Sequence, residues 1–447
     1  MVSGLSTPTF RPKVLVLAEA CNPEWASVPL VGWSMYEALR DVADVHLVTQ
    51  VRNREALERA GLVHGRDFTA IDSELVAKAI WKLAGILRMG ENKGWTVVQA
   101  LSSISYAYFE HLVWRQFGGA IKTKTYDIVH RITPLSPSNP SVIASKLCKA
   151  GQVFVIGPLN GGLPWPPGFD AERRREREWL SHFRSAYRLL PGYKATLRAN
   201  AIIVGSRFTG SEIPLREQSR VIYVPENGID PARFWRVAAP QDGPLRACFV
   251  GRLVPLKGTD MLLEAASPLL QAGKMTLDFI GDGPVADDLK ASARAHGIEH
   301  AVRFHGWLPH QNVQDVLAKA DVFTFLSMKE FGGGAVLEAM ALGVAPLVVD
   351  YGGPGELIDG QTGFKVPLGS RSAIIEQVRA LLSELADNPS RVAAAGEKAR
   401  QRVQSHFTWG VKARQVLDVY KFALGMTQKP EPFAFPSPSS RETISSI

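Results

Sequence analysis

The sequence predicts an α/β protein made of two doubly wound domains, each a parallel sheet with helices on both faces. Apolar runs such as "KVLVLAEA" (Lys13–Ala20) are continuous, as in strands buried on both faces, and they alternate with helical segments along the chain. The alternation stops in a stretch rich in proline and glycine near residues 228–244 and then starts again. This break predicts a domain boundary.

The predicted elements follow one another in both halves. After Lys13–Ala20 come a loop that contains Gly32, a helix at "WSMYEALRD" and further strands at "ADVHLVTQ", Tyr126–Ile132, Gln152–Pro158 and "AIIVGS". The second half offers strands at "RACFVG", "TLDFIG", "AVRFHG", "DVFTFLS" and "APLVVD", each followed by a helical segment. A helical run from about Ser372 to Leu424 breaks at "DNPS" and "HFTWG". Residues 427–447 are rich in proline and serine, which predicts a disordered tail.

Bulk composition narrows the class of protein. The chain has 447 residues, 46% hydrophobic and 21% charged, an ordinary globular composition with room for two or three domains. Cys21, Cys148 and Cys248 are odd in number and widely spaced, so we expect reduced thiols and a cytoplasmic protein. The sequence shows neither a signal peptide nor an apolar run that could span a bilayer. The net charge of +8 favours an acidic partner.

The segment "KEFGGGAVLEAMALG" (Lys329–Gly343) carries the first candidate site residues. It follows the predicted strand "DVFTFLS", so Glu330 lies near the carboxyl end of that strand and Glu338 about one turn inside the next helix. The glycines Gly332–Gly334 leave N–H groups open at the positive end of the helix dipole, which suits a phosphate. The carboxylates suit hydroxyl groups, so the segment indicates a nucleotide sugar. The alternative is a tight turn that binds nothing.

A second candidate loop is "VGRLVPLKGTD", after the first strand of the second domain. Gly251 permits the turn, and Arg252 and Lys257 could reach one diphosphate from different sides. The spacing is not that of a P-loop, and no G-x-G-x-x-G opens a helix anywhere, which argues against a nicotinamide cofactor. The alternative interpretation is two solvated surface cations.

The ordered set "VGRL…KG", "FIGDGP", "FHGWLP", "ADVFTFLS", "EFGGGAVLEAMA" and "YGGPGELI" resembles the retaining glycosyltransferases of family 4. The likeness is strong over about Leu245–Pro367 and weaker upstream, in "VGSRF" and "PENGID". It implies a GT-B fold, with two Rossmann-like domains facing a central cleft and C-terminal helices that cross back. Residues 1–228 would bind the acceptor and residues 245–405 the donor, with a helix at 406–426 packing back on the first domain.

The resemblance also implies roles for single residues. Glu330 would contact the hydroxyl groups of the donor sugar as a catalytic residue, Glu338 would bind the ribose, and Arg252 with Lys257 would bind the diphosphate. The full set of implied donor-binding residues is Arg252, Lys257, Glu338, Phe331, Gly332, Gly333, Gly334, Gly251, Gly281, Trp307 and Leu308.

Two positions depart from the family pattern. Relatives carry a glycine pair in the first loop, whereas this loop has only Gly32, to which the role beside the donor phosphates is assigned. Relatives also carry an H-x-H pair, and here "DIVHRITPLSP" keeps His130 but has Ile132 at the other position. His130 is the candidate catalytic histidine, and a satisfied histidine at a strand end is the alternative.

The implied reaction is retaining transfer of a sugar from a nucleotide diphosphate donor to an acceptor hydroxyl on a glycan, a lipid-linked molecule or a small molecule. No metal and no cofactor are expected, because the two cations and the glycine N–H groups would stabilise the leaving group. No side chain presents itself as a nucleophile, which favours a front-face reaction. The alternatives are another GT-B enzyme, an epimerase or phosphorylase, and a non-catalytic protein that binds nucleotide sugars.

A basic segment, "AERRREREWLSHFRSAYRLL", spans residues 171–190. Its apolar residues recur at helical spacing, and four arginines line another side: Arg173, Arg177, Arg184 and Arg188. Such a helix could contact an anionic membrane, and a surface helix packed on its own domain is the alternative. No nucleic-acid-binding module is found, so nucleic acid is not an expected partner.

Overall fold

The computed structural model describes residues 10–74, 95–175, 186–189, 192–238 and 243–433. Within these ranges the chain forms two parallel sheets, one of seven strands in the order β3-β2-β1-β4-β5-β6-β7 and one of six in the order β10-β9-β8-β11-β12-β13. In each sheet the order reverses beside the first strand of the domain, the arrangement in which ligands bind at the carboxyl edge. Two doubly wound domains are therefore confirmed.

The first sheet is built from β1 Lys13–Ala18, β2 Asp44–Gln50, β3 Phe68–Ile71, β4 Ile128–Thr133, β5 Val153–Leu159, β6 Ala201–Val204 and β7 Val221–Tyr223. Its helices are α1 Val28–Leu39, α2 Arg54–Arg59, α3 Trp95–Lys122, α4 Ala144–Lys149, α5 Asp170–Arg175, α6 Tyr193–Thr196 and α7 Arg207–Ser211. The central strands are apolar on both faces because helices cover both sides; every residue of β4 is buried.

The second sheet is built from β8 Leu245–Val250, β9 Met275–Ile280, β10 Val302–Phe304, β11 Val322–Phe325, β12 Ala345–Val349 and β13 Phe364–Val366. Its helices are α8 Thr259–Gln271, α9 Ala286–Ala295, α10 His310–Leu317, α11 Gly334–Ala341, α12 Gly353–Leu357, α13 Arg371–Ala386 and α14 Pro389–His406. One apolar cluster runs through this domain, from Phe249 and Phe279 at the centre of the sheet to Leu382 on α13.

The last helix, α15 Trp409–Ala423, leaves the second domain and packs on the first. Its Tyr420 and Val416 are buried in the core of the first domain beside α1 and β5. The chain crosses between the domains in two places that touch: the Ile229 N–H donates to the Phe407 carbonyl (2.8 Å), and the Trp409 N–H donates to the Ile229 carbonyl (3.2 Å). The expected return of the C-terminal helices is thus confirmed.

Several sequence predictions need correction. The short strands β3, β7 and β13 were not predicted, because three or four residues give too little pattern. Gly32 does not lie in the first βα loop, since α1 already begins at Val28.

The predicted disorder of residues 427–447 does not hold for its first part, because the Phe433 ring lies 5.3 Å from that of Phe407 and 5.7 Å from that of Tyr223. Residues 434–447 are outside the described ranges.

Candidate functional site

The predicted acid and cation meet at the carboxyl edge of the second sheet. Lys257, at the end of a short 3-10 turn after β8, forms an ion pair with Glu330, which lies in the loop after β11. Both side chains are largely buried, and the ammonium group also lies 4.8 Å above the ring of Phe325. Lys257 and Glu330 thus hold each other in position where a ligand would approach.

The glycine turn forms the start of α11. Gly333 has a left-handed backbone (φ 62°), which an L side chain would strain, and it directly precedes the first helical residue. None of the described residues accepts a hydrogen bond from the N–H groups of Gly332, Gly333 or Gly334. These donors lie at the positive end of the helix, beside the Lys257–Glu330 pair.

Two further glycines let the neighbouring loops approach each other closely. A Cβ atom at Gly281 would lie 2.0 Å from the Gly251 carbonyl oxygen, and both glycines have positive φ. The exposed side chain of Arg252 follows directly, and among the described residues no carboxylate lies within ion-pairing distance of it. Trp307 is 75% exposed and Leu308 packs against the core of the domain.

Glu338 has a partner that the sequence did not reveal. His310, the first residue of α10, lies with Nε2 2.8 Å from Oε1 of Glu338, and its ring contacts the edge of Phe234. An N–H of the imidazole therefore donates to the carboxylate and holds it in place. The "LPH" sequence at the start of a helix was the available signal, but nothing in it indicates a partner 28 residues away.

The first domain also reaches this site. Asn160 follows β5, and its Nδ2 donates to the Phe331 carbonyl (3.1 Å) and to Oε2 of Glu226 (2.7 Å). A Cβ atom at Gly332 would lie 2.2 Å from Oε1 of Glu226, so this face of the glycine turn is covered by the first domain. Burial raises the pKa of Glu226 to about 7. Asn160 and Glu226 were both missed in the sequence.

The structure places His130 in the core of the first domain and Gly32 inside α1. His130 is fully buried in β4; its Nε2–H donates to the Gly157 carbonyl (2.8 Å), and its Nδ1 accepts from the Tyr420 hydroxyl (2.7 Å). Burial lowers its pKa to about 4. Gly32 is a buried glycine of α1, where a Cβ atom would lie 2.3 Å from the Ala20 carbonyl oxygen. Both ring nitrogens of His130 are thus occupied within the first domain. Gly32 packs beside Ala20 and Thr133, at the carboxyl ends of β1 and β4, and its role beside the donor phosphates stays a prediction.

Comparisons with known proteins bear on the family and the fold. Residues 233–402 match a family model described as Glycosyl transferases group 1. A HepE structure from Anabaena, solved in complex with UDP and glucose, aligns over 91% of this chain and 99% of its own with a TM-score of 0.56 and 15% identity. Sucrose-phosphate synthase from Thermosynechococcus elongatus aligns over 93% and 100% with a TM-score of 0.56 and 17% identity. The fold is GT-B.

Curated relatives match a little less than half of the chain. Glycogen synthase of Mycobacterium tuberculosis is 35% identical over 215 residues, 47% of this chain and 51% of the relative. A GDP-mannose-dependent mannosyltransferase of Corynebacterium glutamicum is 30% identical over 214 residues, 43% of this chain and 54% of the relative. The chain thus spans about half the length of the curated relatives it matches. These matches show a likeness to group 1 glycosyl transferases over part of the chain.

The basic segment of this GT-B protein is described only in part. Of the four arginines predicted to line one side, Arg173 forms an ion pair with Asp170 (2.7 Å), and Arg188 forms one with Glu212. Arg177 and Arg184 lie outside the described residues. Among the helices that the structure describes, none combines the length and hydropathy needed to cross a bilayer. The described ranges contain no cluster of three or more His, Cys, Asp or Glu side chains arranged to hold a metal.

Proposed function

We propose that this protein is a retaining glycosyltransferase that moves a sugar from a nucleotide diphosphate donor to an acceptor hydroxyl. The observation that carries the proposal is the half-buried Lys257–Glu330 pair beside the N–H groups of the glycine turn, which no described residue accepts from, at the sheet edge that faces the other domain. A diphosphate could take over Lys257, and sugar hydroxyls could take over Glu330. The matches to group 1 glycosyl transferases support the same reading.

In the proposed reaction the bond between the anomeric carbon and the diphosphate breaks, and the diphosphate leaves with the bonding electrons. Lys257, Arg252 and the N–H groups of Gly332–Gly334 would stabilise the charge that develops on it. The acceptor hydroxyl would attack from the same face and pass its proton to the departing diphosphate. The sequence, in which no side chain presents itself as a nucleophile, supports this front-face reaction. Glu338, held by His310, would bind the two ribose hydroxyls.

A panel of nucleotide sugars tests the proposal. We expect one donor to raise the melting temperature of the protein and to be turned over, by slow hydrolysis or by transfer to an added acceptor. Product analysis by NMR would show the anomeric configuration of the donor retained. A protein that binds a donor without turnover would be a nucleotide-sugar binder, and inversion would refute the mechanism.

Two further parts of the proposal have their own tests. Independence from metal predicts unchanged turnover in excess chelator; loss of activity that manganese restores would refute it. Contact of the basic segment with an anionic membrane predicts that the protein sediments with anionic liposomes at low salt, and absence of binding there would refute that contact. The panel of nucleotide sugars, used with different added acceptors, would identify the sugar, the base and the acceptor.

A further inference from the structure

A buried polar network ties the first domain to the glycine turn of the second. At its centre is Asn160, in the loop after β5, whose amide nitrogen donates both to Glu226 (2.7 Å) and to the main-chain carbonyl of Phe331 (3.1 Å). Asn160 is 6% exposed and Glu226 is 5% exposed, although both lie between domains. Phe331 separates Glu330 from Gly332, so the network holds the main chain next to the proposed catalytic carboxylate.

The orientation of the Asn160 amide is fixed from behind. Its Oδ1 accepts hydrogen bonds from the hydroxyl groups of Ser206 (2.8 Å) and Thr209 (3.2 Å), at the start of α7. Because the Phe331 carbonyl can only accept, the NH₂ group must face Phe331 and Glu226, and the amide oxygen then faces the two hydroxyl groups. The Asn160 amide is therefore held in one orientation by residues of both domains and is not a freely rotating surface amide.

Glu226 packs against the turn itself. A side chain at Gly332 would collide with Oε1 of Glu226, and one at Gly205 would collide with its Oε2 (both 2.2 Å). The carboxyl group thus fills the gap between β6 and the glycine turn, and the absence of a Cβ on both glycines is what lets it fit.

We infer that Asn160 and Glu226 are positioning residues that hold the Phe331–Gly332 main chain from the first domain and thereby set the place of Glu330. The inference rests on the proposed glycosyl transfer. Turnover at the site of the second domain would then depend on contact with the first, so that the complete site exists only when the two domains are together.

The charges around Glu226 make this contact sensitive to pH. Burial raises the pKa of Glu226 to about 7, and the negative charge of Glu330 acts in the same direction. Lys412 of α15, itself buried and with a pKa lowered to about 7, opposes the rise, and Tyr223 is the other titratable group that senses Glu226. Above about pH 7 the ionised Glu226 adds a second negative charge beside the loop that carries Glu330.

Three variants of the full chain test the inference. Asn160→Ala removes both donated hydrogen bonds, Glu226→Gln keeps the size of the side chain but cannot ionise, and Glu110→Gln is the control. Glu110 is a fully buried glutamate of the same domain that accepts hydrogen bonds from Tyr106, Ser141 and the main chain of residues 142 and 143, and none of these partners belongs to the glycine turn.

For Asn160→Ala we expect faster hydrogen exchange at residues 331–334 and a kcat lowered roughly tenfold or more, with KM for the donor changed less than about threefold. For wild type we expect kcat to fall as pH rises through about 7, and for Glu226→Gln we expect this fall to be absent. Glu110→Gln should show none of these effects.

Exchange at residues 331–334 that is unchanged in Asn160→Ala, or equally raised in Glu110→Gln, would overturn the inference. This measurement needs no substrate, so it decides the positioning role even if wild type turns over no nucleotide sugar, a result that would refute only the proposed function. If Asn160→Ala does not fold, Asn160→Asp gives the same test, because it keeps the acceptor for Ser206 and Thr209 and loses both donated bonds.

Discussion

The carboxyl edges of the two sheets are built differently. At the edge of the second sheet, Gly251, Gly281 and Gly333 expose main chain, and the charged pair of Lys257 and Glu330 faces the cleft. At the edge of the first sheet, side chains already satisfy main-chain groups: Asn53 donates to the Glu19 carbonyl (2.8 Å), and the Thr133 hydroxyl accepts from the Ala20 N–H (3.1 Å).

This difference explains why the sequence indicated a candidate binding site more clearly in the second domain than in the first. Main-chain donors and paired charges can bind a diphosphate whatever else the ligand carries, so the second edge has a recurring pattern. At the first edge, buried polar groups hydrogen-bond to one another. A ligand would therefore be recognised there by the shape of the surface more than by charged or main-chain groups. We therefore expect substitutions at the second edge to lower activity directly, and substitutions in the core of the first domain, away from Asn160 and Glu226, to act through stability.

The largest effect is expected for the cations of the second edge. Arg252→Ala and Lys257→Ala should each lower kcat/KM about a hundredfold, ~3 kcal/mol, because each would remove one stabilising charge from the leaving diphosphate. Steady-state kinetics with the donor identified by the panel measure this. Lys274→Ala is the matched control, since Lys274 is an exposed lysine of the same domain that forms only a loose pair with Asp387 (3.5 Å). Near-normal kcat/KM in both site variants would contradict the comparison between the edges.

Much of the second edge could be predicted from sequence because its chemistry is local. Gly332–Gly334 and Glu338 lie within one strand–turn–helix unit, and Lys257 lies in a loop defined by its own glycines. Within such a unit, the spacing of residues along the chain determines which of them lie close together in the fold. The ion pair of Lys257 with Glu330 joins residues 73 apart and could be expected only because parallel strands bring their carboxyl ends to one edge.

The buried His130 predicts that the unfolding free energy of the first domain depends on pH. Its pKa is lowered from 6.5 to about 4 by burial, so the folded protein holds it neutral. That stabilisation is complete above pH 6.5 and is lost as pH falls towards about 4, in total roughly 3 kcal/mol. His130→Gln should therefore show a flatter decline of unfolding free energy over this window, measured by urea denaturation at several pH values.

The same variant tests whether His130 takes part in catalysis. If its role is confined to the core of the first domain, His130→Gln should keep kcat/KM within a few-fold at pH 7 under conditions where it is folded. A loss of a hundredfold or more in folded protein would restore the catalytic role predicted from the sequence and would break the contrast between the domains.

At the second edge, a smaller effect should distinguish the role of Glu338 from that of His310, which orients it. Glu338→Gln should raise KM for the donor about tenfold, because a carboxamide accepts hydrogen bonds from hydroxyls less strongly than a carboxylate. His310→Ala should raise KM about threefold with kcat unchanged, since it removes only the hydrogen bond that orients Glu338. If His310→Ala changed KM and kcat as much as Glu338→Gln does, His310 would contact the donor itself.

The residues that sequence reasoning missed share one property: their partners are distant in the chain. Asn160 meets Phe331 across 171 residues, and the Tyr420 hydroxyl meets His130 across 290. Neither contact lies within one strand–helix unit, so no periodicity or spacing could reveal it. His130 also shows the converse, since a histidine at the end of a strand near a cleft has the same sequence context whether it faces the cleft or the core.

The smallest effect concerns how the domains are joined. Thr408 caps α15, which carries the chain back to the first domain, and Ser370 caps α13 inside the second domain; each hydroxyl accepts from an N–H in the first turn (3.4 and 3.3 Å). Each replacement by alanine should cost about 1 kcal/mol of unfolding free energy. Only Thr408→Ala should also speed hydrogen exchange around His130 and Tyr420, because α15 is the helix that packs there. Equal exchange in the two variants would mean that the cap of α15 does not control its docking on the first domain.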